Sequence, residues 1–151
     1  MGRKSGKRKN RNNAHLCVDS NFNKAVLIMI RINVVPVEEL CDKHLLAEYR
    51  ELPRVFRLAY PCGDAPKEYV LGAGHVKFFY NKLAYLSRRF RCITQECRRR
   101  GFSIRYTEPP FREDGIELYG EYVADIRALG LNRDRINERL KTMKNVKWTN
   151  C

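Results

Sequence analysis

Acidic residues are scarce in this chain: 17 Asp and Glu stand against 30 Lys and Arg, for a formal net charge of +13. That deficit points to polyanionic partners, DNA or RNA ahead of a membrane surface, although charge alone would serve a ribosomal or packaging protein equally well. Long apolar runs are also missing. The stretch Ala25–Ile30 is too short to span a bilayer and is not followed by a cleavage pattern, which argues against a signal peptide and against a membrane partner. None of the six cysteines (Cys17, Cys41, Cys62, Cys92, Cys97, Cys151) forms a Cys-x-x-Cys pair, and the Cys92/Cys97 spacing does not suit a zinc hairpin. Reduced thiols, no bound metal and an intracellular location are therefore expected, with nuclear or viral-factory association as its finer forms. The Gly72-Ala-Gly74 turn lacks the third glycine and preceding strand of a dinucleotide fingerprint. No internal repeat is visible.

At 151 residues, 44% hydrophobic and 31% charged, the chain is long enough to bury a core and is expected to form one domain. Residues 1–16 carry Arg3, Lys4, Lys7, Arg8, Lys9 and Arg11 without one acid. Such a tail is a nucleic-acid arm, an import signal, a solvated extension or the product of a misassigned start. The expected division is a basic, disordered extension over 1–28 and a helical domain over 29–151, with 25–30 packing as a strand-like arm. Pro36 opens a short turn favoured by Glu38 and Glu39. A first helix is expected from Asp42, as N-cap, to Ala59, kinked at Pro53. Tyr60–Pro66 reads as a loop. A second helix is expected from His75 to Arg99, with a seam of Val76, Phe79, Leu83, Leu86, Phe90, Ile93 and Cys97 and Gly101 as its C-cap. Residues 103–121 read as loop. A third helix is expected over Tyr122–Met143, with Ile136, Leu140 and Met143 on one face and a break at Gly130. Three helices with long connections predict a compact all-α domain.

The first helix carries the most specific pattern. At 100° per residue, Lys43, Arg50, Arg54 and Arg57 fall in one stripe, and Leu45, Leu52, Phe56 and Ala59 fall opposite. Glu51 sits at the edge of the basic stripe, while Glu48 lies nearer the apolar side and reads as structural. A cationic stripe with a carboxylate at its edge suits phosphate binding combined with proton chemistry. The same pattern also describes a solvated face on which Glu51 pairs with Arg50 or Arg54. His44 reads as a local hydrogen bonder and His75 as structural, with Gly72 and Gly74 permitting a tight turn.

Three ordered blocks add to this reading: His44-Leu45 with Ala47–Phe56; Leu71–Val76 with Phe78–Tyr80 and Lys82-Leu83; and Arg100-Gly101-Phe102 with Ile104. Together they resemble the phage and algal-virus pyrimidine-dimer DNA glycosylases, the T-even phage endonuclease V type, from Met29 to the C-terminus. The Tyr60–Pro66 connection is shorter than in the phage enzyme. The resemblance implies an ultraviolet-damage N-glycosylase with abasic-site lyase activity, in which an amine attacks C1′ and passes through an imine. In that family the amine is the backbone α-amine freed by loss of the initiator methionine, here matching Ile30, and the carboxylate matches Glu51. Arg31, Arg50 and Arg54 match phosphate-binding arginines. Lys43 and Arg57 extend that DNA-binding set by position, and His44 has an accessory place. Near the C-terminus, Trp148 either stacks on an exposed base or plugs the helical bundle. The implied partner is double-stranded DNA containing pyrimidine dimers or abasic sites, acted on by a monomer without a cofactor. One departure stands out. Family members carry a small residue after the initiator methionine, whereas here the pair is Met29-Ile30, with 28 residues before it. This leaves three routes to an amine: proteolysis before Ile30, a start at Met29, or a lysine such as Lys43. The alternative is a non-catalytic damaged-DNA-binding relative that has lost the nucleophile.

Overall fold

A computed structural model describes residues 31–62, 64–111 and 113–150. The expectations for the tail and for the 25–30 run lie outside these residues. Three helices make up the described fold: α1 (Asp42–Cys62), α2 (Leu83–Arg99) and α3 (Ile126–Thr142). Short 3-10 turns at Val37–Glu39, Lys77–Phe79 and Glu113–Leu118 join them. Among the described residues there is no strand; one antiparallel bridge pairs Lys82 with Tyr119. The all-α expectation holds. No helix among the described residues is long and apolar enough to cross a membrane.

The core is the α1–α2 contact. Leu45, Leu52, Val55, Phe56 and Ala59 of α1 meet Leu83, Leu86, Phe90, Ile93 and Cys97 of α2, all essentially inaccessible to solvent. The opposite stripe of α1, Lys43, Arg50, Arg54 and Arg57, is exposed, as the 3.6-residue period requires. An aromatic cluster of Tyr69, Phe78, Phe79, Tyr85 and Tyr122 closes one end with edge-to-face contacts.

Several element boundaries differ from the expected ones. α2 starts at Leu83 rather than His75. Gly72 and Gly74 take positive φ (79° and 88°), and the chain then tightens into i→i+3 bonds, Phe79 N to Val76 O and Tyr80 N to Lys77 O. A spacing of three fits a 3-10 turn as well as an α-helix, so Val76 and Phe79 continued the apolar seam without sharing its helix. The C-terminus of α2 follows expectation: Gly101 (φ 79°) donates to Arg98 O, and Phe102 N reaches back to Cys97 O, a Schellman closure. α1 continues through Pro53 to Cys62. Asp42 opens α1, but its carboxylate accepts from Thr149 and Arg100, tying the C-terminal segment to the helix start. α3 begins at Ile126, four residues later than expected, because Asp125 caps it by accepting from Ala128 N at 2.7 Å. It runs through Gly130 without a break. The 103–121 stretch contains the turn Glu113–Leu118, packed where a side chain at Gly115 would strike the Tyr60 ring.

Candidate active site

α1 forms a ridge with a cleft on each flank. The smaller cleft, about 380 Å3, is lined by Arg31, Asn33, His44, Ala47, Glu48, Glu51, Arg135, Ile136 and Arg139. It gathers α1, α3 and the segment that precedes the first turn. Three guanidinium groups converge here. Burial, then Arg139 and Arg135, push the Arg31 pKa below its ordinary value. Burial, then Arg139 offset by Tyr69, lowers that of Arg135. Among the described residues no carboxylate pairs with Arg31, Arg135 or Arg139. Clustered unpaired cations in a half-enclosed site favour a polyanion.

Glu51 opens onto this cleft with its side chain 23% exposed, and accepts from Arg54 Nη1 at 3.1 Å. The expected surface pair is therefore present, and the carboxylate also faces the cationic cleft. His44 lines the same cleft, and its Nδ1 is buried without a hydrogen-bond partner. Burial, then the charges of Arg31 and Arg139, lowers its pKa, so it stands neutral at pH 7.

Glu48, one turn before Glu51, is fully buried and saturated. It accepts from Arg89 Nε and Nη2 and from both the backbone and side-chain nitrogens of Asn33. Burial opposes the charge of Arg89, yet Glu48 outweighs it and holds the guanidinium above its ordinary value. Its structural assignment agrees with this geometry.

The larger cleft, about 710 Å3, lies on the other flank between α1, α2 and residues 103–110. Its floor is apolar, with Leu46, Pro53, Phe90 and Ile104, and Arg50 and Arg57 stand at its edge. Tyr49 stacks on Phe90 and exchanges two hydrogen bonds with the Tyr106 backbone, which fixes the outer wall.

The structure brings Glu51, Arg31 and His44 into one cleft and puts Arg50 and Arg57 on the other; Arg54 stands on the ridge between them. Lys43 lies elsewhere: it lines neither cleft, and its ammonium donates to Lys144 O. Two turns of helix separate it from Glu51, about 12 Å. Trp148 is half exposed, with Nε1 3.4 Å from Glu39 O, and also lines neither cleft. Ile30 lies outside the described residues. The sequence reading missed Arg135 and Arg139. Asn132, Arg135, Ile136 and Arg139 follow an i, i+3, i+4, i+7 pattern, a signal in the sequence that shares its face with the apolar Ile136.

An all-α fold with a carboxylate at the edge of a cationic cleft, beside an apolar one, defines a protein suited to a polyanionic partner. A profile described as pyrimidine dimer DNA glycosylase matches residues 29–108. The chain belongs to that family, whose members are DNA glycosylases acting on ultraviolet-damaged DNA. The matched region contains α1, α2, Arg31 and Glu51 and ends before α3.

Proposed function

We propose that this protein acts on pyrimidine dimers in double-stranded DNA as an N-glycosylase, breaking one of the dimer's two glycosidic bonds, and then cleaves the strand as an abasic-site lyase, without a cofactor. The observation that carries this reading is Glu51 opening onto the cleft of Arg31, Arg135 and Arg139. The arginines hold the phosphates flanking the lesion. An amine attacks C1′; the glycosidic bond breaks toward the departing base, and the sugar ring opens to an imine. The imine acidifies C2′. A proton leaves C2′ toward Glu51, and the C3′–O bond breaks with the 3′-phosphate as leaving group. Among the described residues no lysine lines the cleft, which favours the α-amine of Ile30, exposed by processing, over Lys43. The apolar cleft beyond Arg50 has the size and floor to receive a base extruded from the duplex.

The test is incubation with a dimer-containing duplex in excess chelator, followed by borohydride trapping on abasic DNA for the full chain and for a form beginning at Ile30. Covalent trapping is expected once the amine is exposed. Glu51→Gln should reduce strand cleavage about 100- to 10,000-fold, the range for a lost acid–base group. Absence of trapping in every form would leave a damaged-DNA binder, and full cleavage by Glu51→Gln would remove Glu51 from the mechanism.

A further inference from the structure

Residues 32–35 belong to no helix or strand and are buried or half-buried. Buried backbone amides need partners, and here each is met by a side chain. Ile32 N donates to His75 Nε2 at 3.2 Å, and Asn33 N donates to Glu48 Oε1 at 3.3 Å. Val34 N and Val35 N both donate to Asn132 Oδ1, at 2.8 and 3.2 Å. Asn132 Nδ2 in turn donates to Asn33 Oδ1 at 3.0 Å. The Asn132 amide thus accepts two bonds and donates one, in a residue only 1% exposed. Asn132 lies on α3 one and two turns before Arg135 and Arg139, and the arm it holds, residues 32–35, leads directly to Arg31. An apolar residue there would pack α3 just as well, but it would not fix the register between arm and helix.

We propose that Asn132 is a positioning residue. By holding Asn33, Val34 and Val35 against α3, it sets Arg31 in register with Glu51, Arg135 and Arg139. The part of this inference that concerns cleavage rests on the function proposed above; the clamp itself does not. Asn132 touches no substrate, and its effect passes through the arm.

Asn132→Ser shortens the side chain beyond reach of both valine amides. Two measurements on the full chain decide the matter. Amide exchange at Val34 and Val35 should accelerate about tenfold or more while the core of α1 and α2 keeps its protection. Single-turnover cleavage of the dimer-containing duplex should fall about tenfold or more at saturating protein, beyond any loss of affinity that a displaced Arg31 causes, since displacing Arg31 from Glu51 lowers the rate of the bound complex. A wild-type rate at saturating protein, or unchanged exchange at the arm, overturns the proposal. If Asn132→Ser does not fold, Asn132→Asp decides. It keeps both acceptor bonds but sets an oxygen and a buried carboxylate against Asn33 Oδ1, so a smaller fall in rate at saturating protein supports the proposal, and a wild-type rate overturns it. If the wild-type protein cleaves nothing, the functional reading fails and the exchange measurement alone decides: deprotection confined to the arm upholds the clamp, and unchanged protection removes it.

Discussion

Glu48 and Glu51 stand one helical turn apart on α1, and their surroundings are opposite. Glu48 is sealed in, with every lone-pair direction taken up by Arg89 and Asn33. Glu51 is partly open, held by one arginine, and faces three cations that lack acidic partners among the described residues. A saturated buried carboxylate has no capacity left to accept a proton from a substrate, so it fixes geometry. An incompletely satisfied one at a solvent edge can exchange protons. A rotation of about 300° around α1 thus separates a structural acid from a candidate catalytic one.

The sharpest way to break this comparison is to remove the inner acid. Glu48→Ala should destabilise the protein by about 3–5 kcal/mol, because it leaves the Arg89 guanidinium buried without its counter-charge. The loss would appear in the urea midpoint. A change below about 1 kcal/mol would mean that water or another group compensates Arg89 and that the contrast with Glu51 is overstated.

The outer side is tested through its cations. Arg135→Gln and Arg139→Gln should each weaken DNA binding, by about tenfold at low salt, and reduce the slope of log affinity against log salt by about 1. Stability should hold or rise, because each change relieves repulsion among Arg31, Arg135 and Arg139. A salt slope identical to wild type would show that these arginines do not contact phosphate.

α1 was legible in the sequence because one period governs it throughout. Its buried and exposed stripes both follow from the 3.6-residue repeat, and the placement of Glu48 inside and Glu51 at the edge follows from the same count. The cleft was only half legible. Arg31, His44 and Glu51 were visible, but their opposing wall comes from α3, about 80 residues later in the chain, and no local pattern states which face of α3 turns toward α1. The start of α2 was misplaced for a related reason: burial at Val76 and Phe79 continues the seam while the backbone changes its hydrogen-bonding pattern. Asn132 was illegible because an asparagine reads as polar surface unless its partners, the arm amides, are known.

A smaller effect concerns pH. His75 accepts from Ile32 N through Nε2 and donates from Nδ1 to Val70 O, so the fold requires the neutral ring. Burial, then the charge of Arg135, outweighs Val70, Ile32 and Glu48 and lowers its pKa. A depressed folded-state pKa means that the unfolded chain binds the proton more readily. The contribution of His75 is therefore complete above about pH 6.5 and is lost as pH falls toward the folded value, at up to about 1.4 kcal/mol per pH unit. His44 adds in the same direction. Stability measured at pH 7.5 and pH 5.5 should show a smaller decline in His75→Gln than in wild type. Equal declines would place the titration elsewhere.

The smallest stability effect belongs to the pair that most resembles Glu48–Arg89 on paper. Arg54 and Glu51 make an arginine–carboxylate bond at 3.1 Å, but with side chains 52% and 23% exposed. Water competes for both partners, and an i, i+3 surface pair of this kind contributes roughly 0.2–1 kcal/mol. Arg54→Gln should therefore shift the urea midpoint by only a small fraction of the Glu48→Ala effect, while weakening DNA binding severalfold through the loss of a phosphate contact. That separation is what the comparison requires. The same two chemical groups form the bond in both places, and burial decides whether the bond holds the fold together or leaves its partners open to solvent. A Glu51–Arg54 pair that proved as costly to break as Glu48–Arg89 would tie Glu51 to structure and withdraw the main support for its role in proton transfer.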